Sequence, residues 1–345
     1  MKSKITIVPI SIILLFILNS QLVYSSELSE QMKNCLLKQL EISASDTTVK
    51  ELKSKCEQTI QAPETNDSEK KSVAKLSNIE KRIARERSTA SNPNVITSHR
   101  RNYFLPLSYV NKPNDAPFRE LLTDNPIDNL EAKFQISFKA PVFSDILNKD
   151  DVVHFGFTLQ SYWQMYNTNL SSPFRETNYQ PEIFYTTQND WEFGDWVNRA
   201  IMFGVEHQSN GRTQEFSRSW NRIYADFIFE KENWAVSFKP WYRIPEKEKS
   251  DINQPDGDDN PDIGKYMGNF ELAAVYHWDD QNFSIMLRNN LRSNNRGAVQ
   301  LDWSFPMGKR FKGYVQFFNG YGESLIDYNH YVQRVGFGVL LTDFF

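Results

Sequence analysis

Glu206-His207-Gln208-Ser209-Asn210-Gly211-Arg212-Thr213-Gln214-Glu215-Phe216-Ser217-Arg218-Ser219-Trp220-Asn221-Arg222-Ile223-Tyr224 reads as a strand, a turn-rich loop and a second strand. Side chains at i and i+2 of a strand share a face, so His207 and Ser209 are neighbours on one surface. A hairpin centred on Gln214 sets His207 opposite Asn221, with Cβ atoms roughly 5 Å apart and the side chains within hydrogen-bonding reach. The face carrying them continues backward as Val205, Phe203 and Ile201, and forward from Asn221 as Ile223, Ala225, Phe227 and Phe229. The opposite face carries Glu206, Gln208, Arg222, Tyr224, Asp226 and Glu230. In a soluble sheet the apolar face would be the core, and a reactive cluster there could not meet a substrate. In a transmembrane barrel the apolar face meets lipid and the polar face lines the interior. The pattern predicts a barrel whose histidine, serine and asparagine stand on the lipid side.

The rest of the chain agrees with an exported barrel. It has 345 residues, a net charge of −4, 25 Phe, 15 Tyr and 8 Trp. Its mean hydropathy of −0.57 is far below that of a helical membrane protein. The negative balance argues against a general nucleic-acid binder. Lys2 and Lys4 precede an apolar run from Ile5 to Leu18, and Val23-Tyr24-Ser25 offers a small residue for cleavage, so residues 1–25 read as a secretory signal. Past it no apolar run is long enough to cross a bilayer as a helix, so an exported spanning form must be a barrel.

Residues 26–91 read as a helical and linker extension, periplasmic in a barrel of this orientation. Leu36, Leu37 and Leu40 make one apolar stripe, and Thr48-Val49-Lys50-Glu51 fits a capping box. Cys35 and Cys56 are the two cysteines of the chain, and an oxidising compartment favours their pairing. Val73, Leu76, Ile79 and Ile83 recur at helical spacing among basic residues, which reads as a solvated helix or linker, or as a helix on a membrane surface.

From about Arg101 the period changes to two. Strands are expected to start near Tyr103, Leu130, Val152, Pro181, Ala200, Trp220, Asn233, Asn269, Asn282, Ala298, Arg310 and Val332. Twelve segments of roughly ten residues suit a closed, all-β antiparallel barrel with both ends on one side. With the N-terminus in the periplasm, the connections Asn167 to Tyr179, Asn210 to Ser219 and Glu246 to Tyr266 lie outside, and the cluster stands near the outer leaflet.

The cluster has the parts of a hydrolytic site. His207 can take the proton of Ser209 as it attacks an ester carbonyl and return it to the leaving alcohol. Asn221 would hold the useful tautomer without a full charge to balance the imidazolium. The Gly211 amide could face the oxyanion. A divalent cation would supply missing positive charge. Ser217 and the run Asp256, Asp258, Asp259, Asp262 are hard oxygen donors of the kind calcium takes. Each feature alone has a plain reading: His-x-Ser is a short pattern, Asn-Gly a turn, an acidic loop a solvated surface. His154 and His277 have interior parity, and His99 and His330 have no arrangement around them. A non-catalytic barrel acting as pore or structural protein is the rival. The charged interior residues Arg222, Asp226, Lys239 and Glu271 suggest a packed lumen instead.

In combination, His207-Gln208-Ser209-Asn210-Gly211-Arg212 with Ser217-Arg218-Ser219-Trp220-Asn221-Arg222 closely resembles the signature of the outer membrane phospholipase A family. Ser171-Ser172-Pro173-Phe174-Arg175-Glu176-Thr177-Asn178-Tyr179, Asp259-Asn260-Pro261-Asp262-Ile263 with Lys265-Tyr266-Met267-Gly268, and Gly320-Tyr321-Gly322-Glu323-Ser324-Leu325-Ile326-Asp327-Tyr328-Asn329 resemble the same family. The likeness runs over residues 92–345. It implies a twelve-stranded outer-membrane barrel that hydrolyses sn-1 and sn-2 acyl esters of phospholipids and lysophospholipids with His207, Ser209 and Asn221. It also implies a calcium-dependent homodimer, with calcium held by Arg212 (through its carbonyl), Ser217 and Asp259, and by Ser171 contributed from the second subunit. Where the family often has a lipid-embedded glutamine at the dimer seam, this chain has Leu159, with Gln160 beside it on the interior parity.

Overall fold

The alternation closes on itself. In a computed structural model of the chain, residues 76–90, 96–118, 127–251, 257–308 and 311–344 are described, with isolated positions such as Cys35, Leu52, Lys53, Cys56 and Gln254. The expected signal segment lies outside them. Twelve long antiparallel strands follow one another: β1 (Asn102–Asn111), β2 (Leu130–Ser144), β3 (Val152–Trp163), β4 (Phe174–Phe193), β5 (Trp196–Ser209) and β6 (Ser219–Lys231), then β7 (Trp234–Ile244), β8 (Phe270–Trp278), β9 (Gln281–Asn289), β10 (Gly297–Met307), β11 (Phe311–Tyr321) and β12 (Tyr331–Thr342). Each pairs with its neighbours in sequence, and β12 pairs with β1 through Val335↔Tyr109 and Phe337↔Leu107, so the sheet has no free edge. A two-residue segment, Thr97–Ser98, adds to β2 at Lys139 and Phe138.

The two ends differ as membrane barrels do. At one end the turns are short: Gly194-Asp195, Glu232-Asn233 and Asp279-Asp280 each join two strands, and the first residue of each has positive φ. Such primed turns match strand twist, and Gly194 takes its conformation without a Cβ penalty. Exposed Trp191, Phe193, Trp234, Trp278 and Trp303 stand near these turns, and Phe283 stacks on Trp303 at 6.1 Å, forming an aromatic girdle. The long loops lie at the opposite end.

The interior is polar and tightly paired. Lys239 and Arg222 both reach Glu206, and Arg100 bridges Glu182 and Glu206. Arg334, Lys133 and Arg175 engage Glu131, Glu323 and Asp327. Asp327 lies in the outer loop after β11, where burial pushes its carboxyl up but the Arg175 guanidinium holds it below its usual value. A cavity of about 420 Å³ remains in the lumen. His154 stacks on Phe184 from inside, and His277 bonds Asn282. His99 bonds Glu182 and stacks on the same phenylalanine, an arrangement the sequence does not announce.

Three expectations change. β4 begins at Phe174 rather than Pro181, so the loop before it is shorter than Asn167 to Tyr179. Arg175 and Glu176 look like loop residues but are buried among barrel charges, and Pro181 looks like a strand start but lies mid-strand. β5 likewise starts at Trp196, ahead of a bulge at Asn198/Ala200. The basic helix, α1 (Asn78–Ala90), keeps Ala84, Arg85, Arg87 and Ser88 exposed but docks its other face on the barrel. A reciprocal Ser77–Glu80 capping box starts it; the Ile79 amide bonds Glu230, Arg82 reaches the His99 and Phe344 carbonyls, and Glu86 pairs with Lys139. Ile79 and Ile83 line the lumen cavity, so the apolar stripe is buried by the barrel itself.

The unit that holds the barrel runs from Leu76 to Phe345 and takes in α1. The unit before it contains a Cys35–Cys56 disulfide. No helix among the described residues is long and apolar enough to cross a membrane, and the barrel crosses with strands.

Candidate active site

The β5–β6 hairpin has the register that a centre at Gln214 requires: His207 pairs with Asn221 and Ser209 with Ser219. The His207 Nδ1 and Asn221 Oδ1 atoms are 2.8 Å apart. Ser209 follows His207 on the same face, and no hydrogen bond joins its Oγ to the imidazole among the described residues. Catalytic contacts of this kind commonly tighten only around a substrate.

The face is apolar and outward. Phe203, Val205 and Ile223 are 50%, 51% and 50% exposed, while Gln208, Arg222, Tyr224 and Asp226 of the alternate parity line the lumen. Across β4, Tyr179 pairs with Ser209, and the register places Pro181 opposite His207. The β4–β5 ladder skips Gln180 and Pro181, because a proline has no N–H to donate. Leu159 pairs with Tyr179 and Ile136 on the outer surface, and Gln160 points inward to the Tyr103 hydroxyl. The cluster therefore stands in a field of lipid-facing side chains.

Asn210 builds the loop beside it. Its side-chain oxygen accepts from the Arg218 and Arg212 amides at 3.0 and 3.3 Å, and its NH2 donates to the Phe216 carbonyl at 2.8 Å. Gly211 follows with φ of 64°, and a Cβ there would stand 3.3 Å from the Tyr179 ring. No described residue accepts from its amide. Arg212 is anchored inward, its guanidinium on Glu176 and on the Arg175 carbonyl.

Of the expected calcium ligands, Ser217 and Asp259 meet. Ser217 Oγ donates to Asp259 Oδ2 at 2.7 Å, and Ser219 Oγ reaches the same oxygen at 3.1 Å. Lys249 pairs with the other carboxylate oxygen. Neighbouring acidic residues do not converge: Asp258 holds Arg243 and Asp262 accepts from Tyr328, while Asp256 lies outside the described residues. No group of three or more His, Cys, Asp or Glu among the described residues could hold a metal unaided. Hydroxyl and carboxylate oxygens at this spacing suit a hard cation completed by backbone or partner oxygens. Ser171 stands apart, in the β3–β4 loop, with left-handed backbone (φ 58°) after the turn Thr168–Leu170. Two residues of the site carry no sequence motif: Lys249, and Glu246, whose Oε1 accepts from Asn221 Nδ2 at 2.9 Å.

Known proteins bear on this arrangement. The family model for phospholipase A1 matches residues 79–341. A phospholipase A1 of Escherichia coli K12 is 43% identical over 215 residues, covering 62% of this chain and 71% of that protein. An active-site mutant of outer membrane phospholipase A from Escherichia coli, carrying alanine for asparagine, superposes with a TM-score of 0.69 at 37% identity, covering 76% of this chain and 98% of that one. The Salmonella typhi outer membrane phospholipase dimer with bound calcium superposes with a TM-score of 0.68 at 37% identity, covering 74% and 94%. The chain belongs to the phospholipase A1 family, and its barrel is an outer-membrane barrel.

Proposed function

We propose that this protein is a calcium-dependent phospholipase of the outer membrane that cleaves sn-1 and sn-2 acyl esters of phospholipids and lysophospholipids as a homodimer. The observation that carries the reading is the hydrogen bond from His207 to Asn221 on a lipid-facing surface, with Ser209 next along the same face. Ser209 Oγ attacks the acyl carbonyl as His207 Nε2 takes its proton. The imidazolium then gives that proton to the departing glycerol oxygen, and water repeats the sequence to free the fatty acid. Asn221 keeps the imidazole oriented. The Gly211 amide is available to the oxyanion, since no described residue uses it. An asparagine is named as an active-site residue in the Escherichia coli structure, which supports Asn221 in this part.

Ser217, Asp259 and the Arg212 carbonyl would hold calcium, with the partner subunit's Ser171 completing the set. Calcium held there would supply the positive charge that could stabilise negative charge developing on the substrate. The Salmonella typhi protein is a dimer with bound calcium, and Ser171 lies on a loop at the outer end of this barrel, where a partner could reach it. A second barrel would also supply the wall against which an acyl chain packs. The pore reading is disfavoured by the lumen, which α1 residues Ile79, Arg82 and Ile83 and outer-loop residues Leu325 and Tyr328 enter, and whose charged side chains pair across it.

The test is fatty-acid release from phospholipid in mixed micelles. Calcium should give a specific activity that rises with protein concentration, and EDTA should lower it roughly a hundredfold or more. Equal release with EDTA, or none from the folded protein at high concentration with calcium, rejects the reading. Calcium must also displace Lys249 from Asp259. Lys249→Gln should therefore lower the calcium Kd in titration calorimetry by more than the roughly two- to fivefold of an exposed ion pair, because both partners are largely buried.

A further inference from the structure

The geometry points to Glu246 as a positioning residue that dictates which nitrogen of His207 carries the proton. This rests on the serine–histidine–asparagine reading above. Glu246 lies two residues beyond Ile244, and Ile244 is the β7 residue paired with Asn221. Glu246 thus stands in the loop just past the end of β7, and its side chain reaches back to Asn221. Its Oε1 accepts from Asn221 Nδ2 at 2.9 Å, and Asn221 Oδ1 is 2.8 Å from His207 Nδ1.

The three groups form a chain with one consistent direction. An ionised carboxylate only accepts hydrogen bonds, whereas an asparagine can present either its NH2 or its oxygen. Beside Glu246 the amide must turn its NH2 to the carboxylate, which leaves Oδ1 for the imidazole. Oδ1 can only accept, so His207 must carry its proton on Nδ1. Nε2 is then the lone-pair nitrogen, the one a general base needs. Without Glu246 the amide could rotate by half a turn and offer NH2 to Nδ1, which would put the imidazole proton on Nε2 and silence the base. Glu246 also returns, one bond removed, the negative charge that an asparagine lacks beside the imidazolium that forms during attack.

The loop that carries Glu246 is held in place. Lys247 accepts from the Asp258 amide at 2.7 Å, Glu248 bridges to Asp258, and Lys249 pairs with Asp259. Arg243, the nearest guanidinium on β7, is committed to Asp258. Asn221 is the hydrogen-bond partner of the Glu246 carboxylate among the described residues. One loop thus ties the amide of the triad to the carboxylate of the calcium site.

Glu246→Gln keeps the shape of the side chain but can offer either a carbonyl or an NH2, so it no longer dictates the amide. In calcium-loaded protein with 15N-labelled histidine, His207 should be the Nδ1–H tautomer in the natural chain and a mixture in Glu246→Gln. kcat should fall roughly ten- to hundredfold, with KM and calcium affinity unchanged. Glu246→Asp, which keeps an acceptor, should recover part of the loss. A second measurement runs in the opposite direction: Asn221→Asp places two carboxylates side by side, so adding Glu246→Gln to it should raise activity. An unchanged tautomer and kcat in Glu246→Gln, while Ser209→Ala is inactive, overturns the proposal. So does a loss accompanied by weakened calcium binding, which would make Glu246 a loop anchor. Full activity in Ser209→Ala would instead overturn the triad itself.

Discussion

Ser209→Ala should abolish fatty-acid release, lowering kcat roughly 10⁴-fold or more while leaving the barrel intact. The side chain sits at the end of β5, half-exposed, and no described residue hydrogen-bonds its hydroxyl, so its loss removes chemistry without removing a structural contact. Folding is checked by heat-modifiable gel mobility. Calcium binding should persist, because Ser217 and Asp259 are untouched. His207→Ala should cost nearly as much, and the double variant little more than either, since a nucleophile and its base act as a unit. Asn221→Ala should be milder, because it removes orientation and leaves the reacting atoms. Undiminished release from Ser209→Ala rejects Ser209 as nucleophile.

Arg334→Leu should destabilise the barrel by about 3–5 kcal/mol. Arg334 is fully buried on β12 and joins Glu323 at 2.7 Å and Glu131 at 2.8 Å, with the Ser108 hydroxyl at 3.0 Å. Glu323 also holds Lys133 at 2.9 Å, and Glu131 holds Arg175, which reaches Asp327 at 2.8 Å. Within this network Arg334, Lys133 and Arg175 balance Glu131, Glu323 and Asp327, and the contacts span the β12–β1 closure and the outer loop. Deleting one cation leaves a surplus carboxylate among buried side chains. A lower denaturant midpoint in detergent checks it. Adding Glu323→Gln, which restores neutrality, should recover part of the loss. A midpoint shift under about 1 kcal/mol would mean that water or rearrangement already screens the network.

Much of the site was legible because it is local. The segment from His207 to Asn221 is one hairpin, and its register follows from a loop centre and a period of two. Parity then told the lipid face from the lumen: Phe203 and Val205 point out with His207, and Glu206 points in. The same reasoning failed at Phe174 to Tyr179, where polar residues and a later proline look like a loop. Arg175 and Glu176 are strand residues there because Glu131, Asp327 and Arg212 come to meet them from elsewhere in the chain. Likewise α1 looked like a free basic helix, because its partners, Glu230, Lys139 and the Phe344 carbonyl, lie far away in sequence.

Alternation and hairpin register depend on neighbours along the chain, so the barrel and the pairing of His207 with Asn221 could be read from the sequence. The contacts of Glu246 with Asn221 and of Lys249 with Asp259, and the seating of α1 against the barrel, come from the tertiary arrangement. Those contacts join segments whose separation no short-range period encodes. They are set by which charged and polar groups must find partners once the barrel has taken them out of water.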